Sequence, residues 1–354
     1  MNSKILDCTL RDGSYAINFK FTKKDTAFVV KNLSDSGIDF IEIGHGLGVG
    51  ASSKTKYKSN YTDFEHMESI KNLKDIKWGA FCIPGIADLD DIKKSIDYKP
   101  NFFRVGSNLE DYKKQETFIN LLKKKNIMVC SNLMKSYTLK PKQFAKIAIR
   151  MVDMGADVVY VVDSAGGMIG DEIAKYFYEI KSINPKIKLG FHGHDNLGLA
   201  NSNALLAEKL GFDIIDCSLQ GIGRSAGNTV LEQFVATLVK QKKITNIDLF
   251  KIFDLSEDII IKKYKYNKIN SLDLIMGMSL FHSSYISVIK DVSKKYNIDP
   301  RKLIIYCSKV NIKETTEKIA IQCALKLSKQ RKNTWKNFYK QYIGEEQSLE
   351  VIKC

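Results

Sequence analysis

Short apolar runs alternate with longer segments of helical apolar spacing along the first two thirds of the chain. The runs are KILDCTL (4–10), DFIEIGH (39–45), KWGAFCIP (77–84), FFRVGS (102–107), IMVCSNLM (127–134), DVVYVVDSAG (157–166), KLGFHGHD (188–195) and DIIDCSLQGIG (213–223). Each is short and rich in β-branched or aromatic residues, which suits a strand buried on both faces. Residues 22–37 and 139–155 carry helical spacing, and each ends at a glycine placed as a C′ cap. Residues 88–96, DLDDIKKSI, open with the acidic turn that a helix N-terminus favours. Strands alternating with helices specify a parallel sheet, and eight such units in about 240 residues match a closed (β/α)8 TIM barrel. An open doubly wound sheet would have to use GHGLGVG (44–50) as its dinucleotide loop, and no helix opens directly behind that stretch.

After residue 244 the pattern changes. Residues 245–264, 283–296, 300–310 and 314–332 show amphipathic helical spacing with no β run between them. The expected organisation is a catalytic barrel at 1–243, a helical C-terminal domain at 244–345 and a tail at 346–354.

The composition, 44% hydrophobic and 27% charged over 354 residues, is that of a chain with ample core. No run approaches the roughly 20 apolar residues that span a bilayer, and the N-terminus is too short and polar in its apolar patch for a signal peptide. The seven cysteines include no CxxC pair and lie mostly in apolar runs, which argues against a disulfide framework and for a cytoplasmic protein. The net charge of +15 comes mainly from scattered lysine. Arginine occurs at only six positions without clustering, so the charge reads as a solvated surface rather than a nucleic-acid face. Residues 329–347 are the one basic-aromatic segment suited to a contact face.

In a barrel, the C-terminal ends of all strands share one mouth, where chemistry in this fold takes place. The first strand brings Arg11 and Asp12 there, and the second brings His45, with Glu42 three residues earlier. The sixth brings Asp163 and Ser164, and the seventh brings His192 and His194. The two histidines stand at i, i+2, so both imidazoles leave one strand face. Two imidazoles and a carboxylate form a facial set for a divalent cation with open positions for substrate. Arg11, beside the carboxylate, supplies fixed donors for a developing oxyanion, and Glu42 is placed to orient it. Together these features suit stabilisation of an enolate.

The motifs DCTLRDG, FHGHDNLGLA and GIGRSAGN resemble those of the metal-dependent aldolase/acyltransferase superfamily known as the DRE-TIM metallolyases. The likeness extends over almost the whole chain to the 4-hydroxy-2-oxovalerate aldolase family, through IEIGHGLGVGASS, VVDSAGG and LIMGMSLFHSSY. The resemblance implies a class II pyruvate aldolase. Asp12, His192 and His194 would bind a divalent metal, Mn²⁺ first and Mg²⁺, Co²⁺ or Zn²⁺ as alternatives, with Asn228 a weaker ligand candidate. Arg11 would stabilise the pyruvate enolate, and Glu42, His45 and Ser164 are counted with the substrate-binding residues. The partners are then a 2-oxo acid and an aldehyde. A homodimer is expected, and the family's best-known members pair with an acylating aldehyde dehydrogenase.

Two departures from the family stand out. Its catalytic histidine four residues after the arginine is replaced by Tyr15, and its tyrosine in the C-terminal turn by His282, as if the acid/base pair had exchanged residue types. The second-strand loop carries Leu47 where the family usually has an acidic residue. The stretch at 52–61, SSKTKYKSNY, is suited to an anionic or sugar-like acceptor, but the general lysine bias is the better account of it.

The nearest rivals are Claisen-type acyl-CoA enzymes of the same superfamily, namely isopropylmalate, citramalate or homocitrate synthases and hydroxymethylglutaryl-CoA lyase, followed by a 2-oxo acid decarboxylase. The synthases typically carry glutamine shortly after Arg-Asp, where this chain has Ser14-Tyr15. The lyase usually has a cysteine in its late glycine-rich loop, and 221–228 has none. A non-catalytic barrel is opposed by the intact Arg11–Asp12–His192–His194 set.

Overall fold

The computed structural model describes residues 3–244, 246–281, 285–311 and 314–327. Its larger compact unit, Met1–Tyr266, holds a closed barrel of eight parallel strands in sequence order. The strands are β1 (Lys4–Asp7), β2 (Phe40–Ile43), β3 (Trp78–Cys82), β4 (Phe102–Asn108), β5 (Met128–Met134), β6 (Val158–Asp163), β7 (Leu189–Gly193) and β8 (Ile214–Cys217). Closure comes from β1 pairing with β8, with Leu6 opposite Asp216. Each strand is followed by a helix: α1 (Lys23–Asp35), α2 (Asp63–Ile70), α3 (Leu89–Ile96), α4 (Glu116–Lys123), α5 (Pro141–Asp153), α6 (Gly170–Ile183), α7 (Ala200–Leu210) and α8 (Leu231–Lys240).

All eight expected strands are present, but the first and last are shorter than their apolar runs. Residues 8–10 and 218–223 stay buried after β1 and β8 have ended, as turns folded over the barrel end. Hydropathy reports burial, so an apolar run continues wherever a loop is buried, whatever its hydrogen bonding. The helix signals hold more sharply. Thr22 and Asp25 form a reciprocal capping box at the start of α1, and Asp88 and Asp91 form one at α3. Gly37 and Gly155, the glycines that close α1 and α5, both have positive φ.

The barrel interior is apolar at one end and charged at the other. Leu6, Cys8, Phe102, Cys130, Val158, Tyr160, Val162 and Ile214 form its packed cluster. Two residues further along the inward faces come Glu42, Arg104, Asp216 and His192, all buried.

The sequence pattern changes at 244, whereas the compact units divide after Tyr266. The intervening α9 (Leu249–Leu255) contacts α1 and α8, which places it in the outer helical layer of the barrel unit. The second unit, Asn267–Cys354, contains α10 (Ser271–Ser279), α11 (Ile286–Tyr296), α12 (Pro300–Val310) and α13 (Glu317–Leu327), which contact one another. Among the described residues, no helix is long and apolar enough to cross a membrane.

Candidate functional site

The C-terminal end of the barrel opens into a cavity of about 270 Å³ lined by Arg11, Asp12, Tyr15, Ser164, His192 and His194, among others. Side-chain donor atoms of Asp12, His192 and His194 all lie within 4.8 Å of one another. Each is aimed by a second group. The Nδ1 of His192 lies 2.8 Å from Oδ2 of Asp216, and the Nδ1 of His194 lies 3.2 Å from the carbonyl of Gly227. With both Nδ1 atoms donating, each ring keeps Nε2 as its acceptor, the usual arrangement of metal-binding imidazoles. Burial lowers the pKa of His194, which favours the neutral ligand form.

Asp12 is held from three sides. Arg11 Nη1 donates to its Oδ1 at 2.6 Å, Asn228 Nδ2 donates to its Oδ2 at 2.8 Å, and the backbone N–H of Arg224 approaches Oδ2 at 3.3 Å. Burial opposes ionisation of Asp12, but the neighbouring Arg11 cation outweighs it and holds the carboxyl well below the usual range. The Oδ1 of Asn228 is buried and takes no hydrogen bond. A buried amide oxygen without a partner, on the residue whose Nδ2 holds Asp12, is a candidate fourth donor for a divalent ion.

Behind this set runs a buried chain of charges. Arg11 Nε donates to Glu42 Oε2 at 2.7 Å. Arg104 grips the same carboxylate through Nε at 2.7 Å and Nη2 at 2.6 Å, then reaches Asp216 through Nη1. Asp216 in turn holds His192. The path Asp12–Arg11–Glu42–Arg104–Asp216–His192 starts and ends on the proposed ligands. It contains two guanidiniums against three carboxylates, so with neutral imidazoles it carries one negative charge in excess. A divalent cation would turn that to one positive, and the carboxylate of a 2-oxo acid would then neutralise it. This charge count, together with the orphaned oxygen of Asn228, makes the donor set fit a divalent metal.

The sequence reading missed Arg104 and Asp216. A signal was there: an arginine inside the apolar run FFRVGS and an aspartate inside DIIDC are inward-facing charges in a parallel barrel, and each demands a partner.

Arg11 lies with its Cζ 4.8 Å above the Phe81 ring, and the Phe81 ring needs the missing side chain of Gly106, where a Cβ would come within 2.3 Å. Nε and Nη1 of Arg11 are committed, which leaves Nη2 without a protein partner among the described residues. Tyr15 lies edge-on to Phe19 and close against Gly46, where a Cβ would stand 2.6 Å from its ring. Its hydroxyl takes no partner among the described residues. Burial pushes the Tyr15 phenol up to about 12, so it stays protonated at neutral pH.

Other expected residues are placed elsewhere. Glu42 is fully buried and acts through Arg11 and Arg104 rather than on the cavity. His45 does not line the cavity. Its Nε2 faces the Tyr57 carbonyl at 2.9 Å, its Nδ1 accepts from the Leu47 N–H at 3.2 Å, and its ring stacks on Phe19 at 4.1 Å. Those contacts shape the second-strand loop and leave no ring nitrogen for a substrate. Asp163 accepts the N–H groups of Gly167 and Met168, and so builds the loop after β6. Ser164 lines the cavity, and its Oγ accepts the Lys135 N–H at 2.9 Å. The lysines of 52–61 also stay off the cavity: Lys54 pairs with Asp88 and Asp91, Lys56 lies over Tyr57, and Lys58 reaches the Ser53 carbonyl. His282 and the basic-aromatic segment 329–347 lie outside the described residues.

The family model described as HMGL-like matches residues 2–259. The chain is 32% identical to the 4-hydroxy-2-oxovalerate aldolase of Pelotomaculum thermopropionicum over 93% of its own length and 97% of that protein. It is 34% identical to the enzyme of the same name from Geobacillus genomosp. 3 over 85% and 90%. Among solved structures, hydroxymethylglutaryl-CoA lyase from Pseudomonas aeruginosa aligns with a TM-score of 0.65 at 17% identity, covering 78% of this chain and 98% of that one. This last likeness is one of fold.

Proposed function

This chain belongs to the HMGL-like family and, within it, groups with the 4-hydroxy-2-oxovalerate aldolases; from that premise we propose that it is a divalent-metal-dependent aldolase that splits or forms a 4-hydroxy-2-oxo acid. The products of cleavage are pyruvate and an aldehyde. The observation that carries the reading is the donor group of Asp12, His192 and His194 next to Arg11, whose Nη2 is uncommitted.

In cleavage the C3–C4 bond breaks, its electron pair passes into the C2–C3 enolate of pyruvate, and the C4 hydroxyl proton leaves as the aldehyde forms; the enolate then takes up a proton from solvent at C3 to give pyruvate. Aldol addition is the reverse. A divalent ion held by Asp12, His192 and His194, with the Asn228 amide oxygen beside them, would supply Lewis-acid polarisation of the 2-oxo acid. Arg11, fixed by Glu42 and supported on Phe81, presents Nη2 to the enolate oxygen. Its orientation is already set by buried partners, so little reorganisation accompanies the reaction. Tyr15, kept protonated, donates a hydrogen bond to the C4 oxygen in both directions. We assign the proton transfer at the C4 hydroxyl to His282, on the sequence resemblance: it accepts the proton in cleavage and returns it in addition.

Mn²⁺ is the proposed native ion, since a set of two imidazoles, a carboxylate and an amide oxygen suits a borderline divalent cation. The six described cysteines are free and buried, in keeping with a reducing compartment, so we place the enzyme in the cytoplasm. A homodimer, with or without a dehydrogenase partner, is an expectation from the family that particle mass in solution will test.

The decisive measurement is exchange of pyruvate methyl protons in D₂O, followed by NMR. Exchange with Mn²⁺, its loss on chelation and its loss in His192→Ala are expected. Exchange confined to acetyl-CoA would replace this reading with a Claisen-type enzyme. Recovery with Mg²⁺, Co²⁺ or Zn²⁺ after chelation ranks the metals.

A further inference from the structure

We infer that the aldehyde partner carries an anionic group, a phosphate or a carboxylate, bound at the outer wall of the cavity by Arg224 and Lys135. The inference rests on the aldolase reading and names the substrate class of that site.

Both side chains line the same cavity as Arg11 and Asp12. Arg11 and Asp12 are buried, while Arg224 and Lys135 are exposed, so the second pair of charges belongs to the outer part of the cavity. The inner cation already faces the 2-oxo acid end of the substrate. The outer pair is therefore left for the other reactant.

The two outer cations also lack partners. Arg11, Arg104 and Arg301 are ion-paired, and Arg150 donates to the Tyr112 hydroxyl. Among the described residues, the Arg224 guanidinium has only an aromatic neighbour, the Tyr15 ring, 5.6 Å from its Cζ. That ring belongs to the residue assigned to the C4 oxygen, which puts the cation next to the incoming aldehyde. Lys135 likewise has no carboxylate partner among the described residues. Among the described residues, Asp12 is the only carboxylate lining the cavity, and the second-strand loop contributes Leu47, so none of them on the outer wall repels an anion.

Neither is an ordinary surface cation on a free loop. Lys135 holds a left-handed backbone, φ 58°, at the end of β5, and its N–H is fixed on Ser164. Arg224 precedes Ser225, also left-handed at φ 59°, whose Oγ is held by Asn196. Such conformations in non-glycine residues persist where surrounding contacts impose them. A further observation also points to a polar ligand. Asn132, 3% exposed, lines the cavity, and its Oδ1 is buried without a hydrogen bond, which offers an acceptor to a substrate hydroxyl.

The test is aldol addition of pyruvate to matched acceptors: propanal as the neutral probe, succinic semialdehyde as the carboxylate and glycolaldehyde phosphate as the phosphate. Wild type should favour at least one anionic acceptor over propanal by roughly tenfold or more in kcat/KM, the contribution of one charge-assisted hydrogen bond. The ratio should shrink with added salt. The larger of the two anionic ratios identifies the group. Arg224→Gln combined with Lys135→Met should bring the ratio close to one, with each rate normalised to that variant's own pyruvate exchange. Exchange with pyruvate alone involves no acceptor. If it is present while propanal is preferred, or while the double variant keeps the anionic preference, the inference is overturned and the aldolase reading stands. If exchange is absent, both are overturned.

Discussion

The inner and outer walls of the cavity are built on opposite principles. On the inner wall, Arg11, Asp12, Glu42, Arg104 and Asp216 are nearly inaccessible, and each charge is held by at least one opposite charge. On the outer wall, Arg224 and Lys135 are exposed and have no carboxylate partner among the described residues. A buried charge must be paired or it costs several kcal/mol, so the inner wall has one workable arrangement. An exposed cation is solvated by water and can exchange that water for a ligand at small cost. The reaction centre is thereby held rigid, while the acceptor end is free to set specificity.

The largest effect expected from breaking this contrast is at Arg104. Arg104→Met strands Glu42 and Asp216 in the barrel interior and should destabilise the protein by roughly 3–5 kcal/mol in denaturant titration. Pyruvate exchange should fall with it, because Glu42 and Asp216, which aim Arg11 and His192, lose the cation that holds them. A variant that unfolds at the wild-type midpoint would show that the inner wall is not the rigid element described here.

Asp7 offers a pH-dependent probe of the same rule. It is fully buried on β1 with no cation partner among the described residues, and its carboxylate accepts from the Thr9 N–H and Oγ1. Burial raises its pKa from 3.8 to about 7. Its folded pKa lies above its unfolded value, so folding takes up a proton between pH 4 and 7. The stability Asp7 contributes is full below pH 4, falls as pH rises and is lost above about 7. The whole window corresponds to at most about 4 kcal/mol. Asp7→Asn keeps an acceptor for the Thr9 N–H, turns its Nδ2 as donor to Thr9 Oγ1, and should flatten this part of the stability-against-pH curve. An unchanged curve would mean that Asp7 is ionised in the folded protein.

Tyr15→Phe probes the meeting point of the two walls. It should lower the aldol rate by roughly 10²-fold as a lost hydrogen-bond donor to the C4 oxygen, with pyruvate exchange much less affected. An equal loss in both would assign Tyr15 to the enolate rather than to the C4 oxygen. The smallest effect belongs to the outer wall, where single changes at Arg224 or Lys135 should shift acceptor preference more than rate.

Much of this was legible in order along the chain. The eight strands stand out because parallel strands are buried on both faces and leave continuous apolar runs. That Asp12, His192 and His194 come together was legible because the two histidines stand at i, i+2 at the end of β7 and Asp12 lies in the turn after β1. Arg104 and Asp216 were overlooked because each is a single charge in an apolar run, with a partner more than a hundred residues away. His45 was misjudged for the converse reason: its position after β2 brings it to the mouth end, but ring contacts with Phe19 and the Leu47 N–H turn it into the loop.

By itself, the sequence determined the barrel, its strand order and the residues delivered to one end, because these follow from local periodicity and the direction of parallel strands. Only the tertiary structure decided which of those residues share a cavity, which charges cancel and which remain free. Pairing depends on distances of a few ångströms between segments far apart in the chain. That is why the lysines of 52–61 turned out to lie off the cavity, while Lys135 and Arg224 line it.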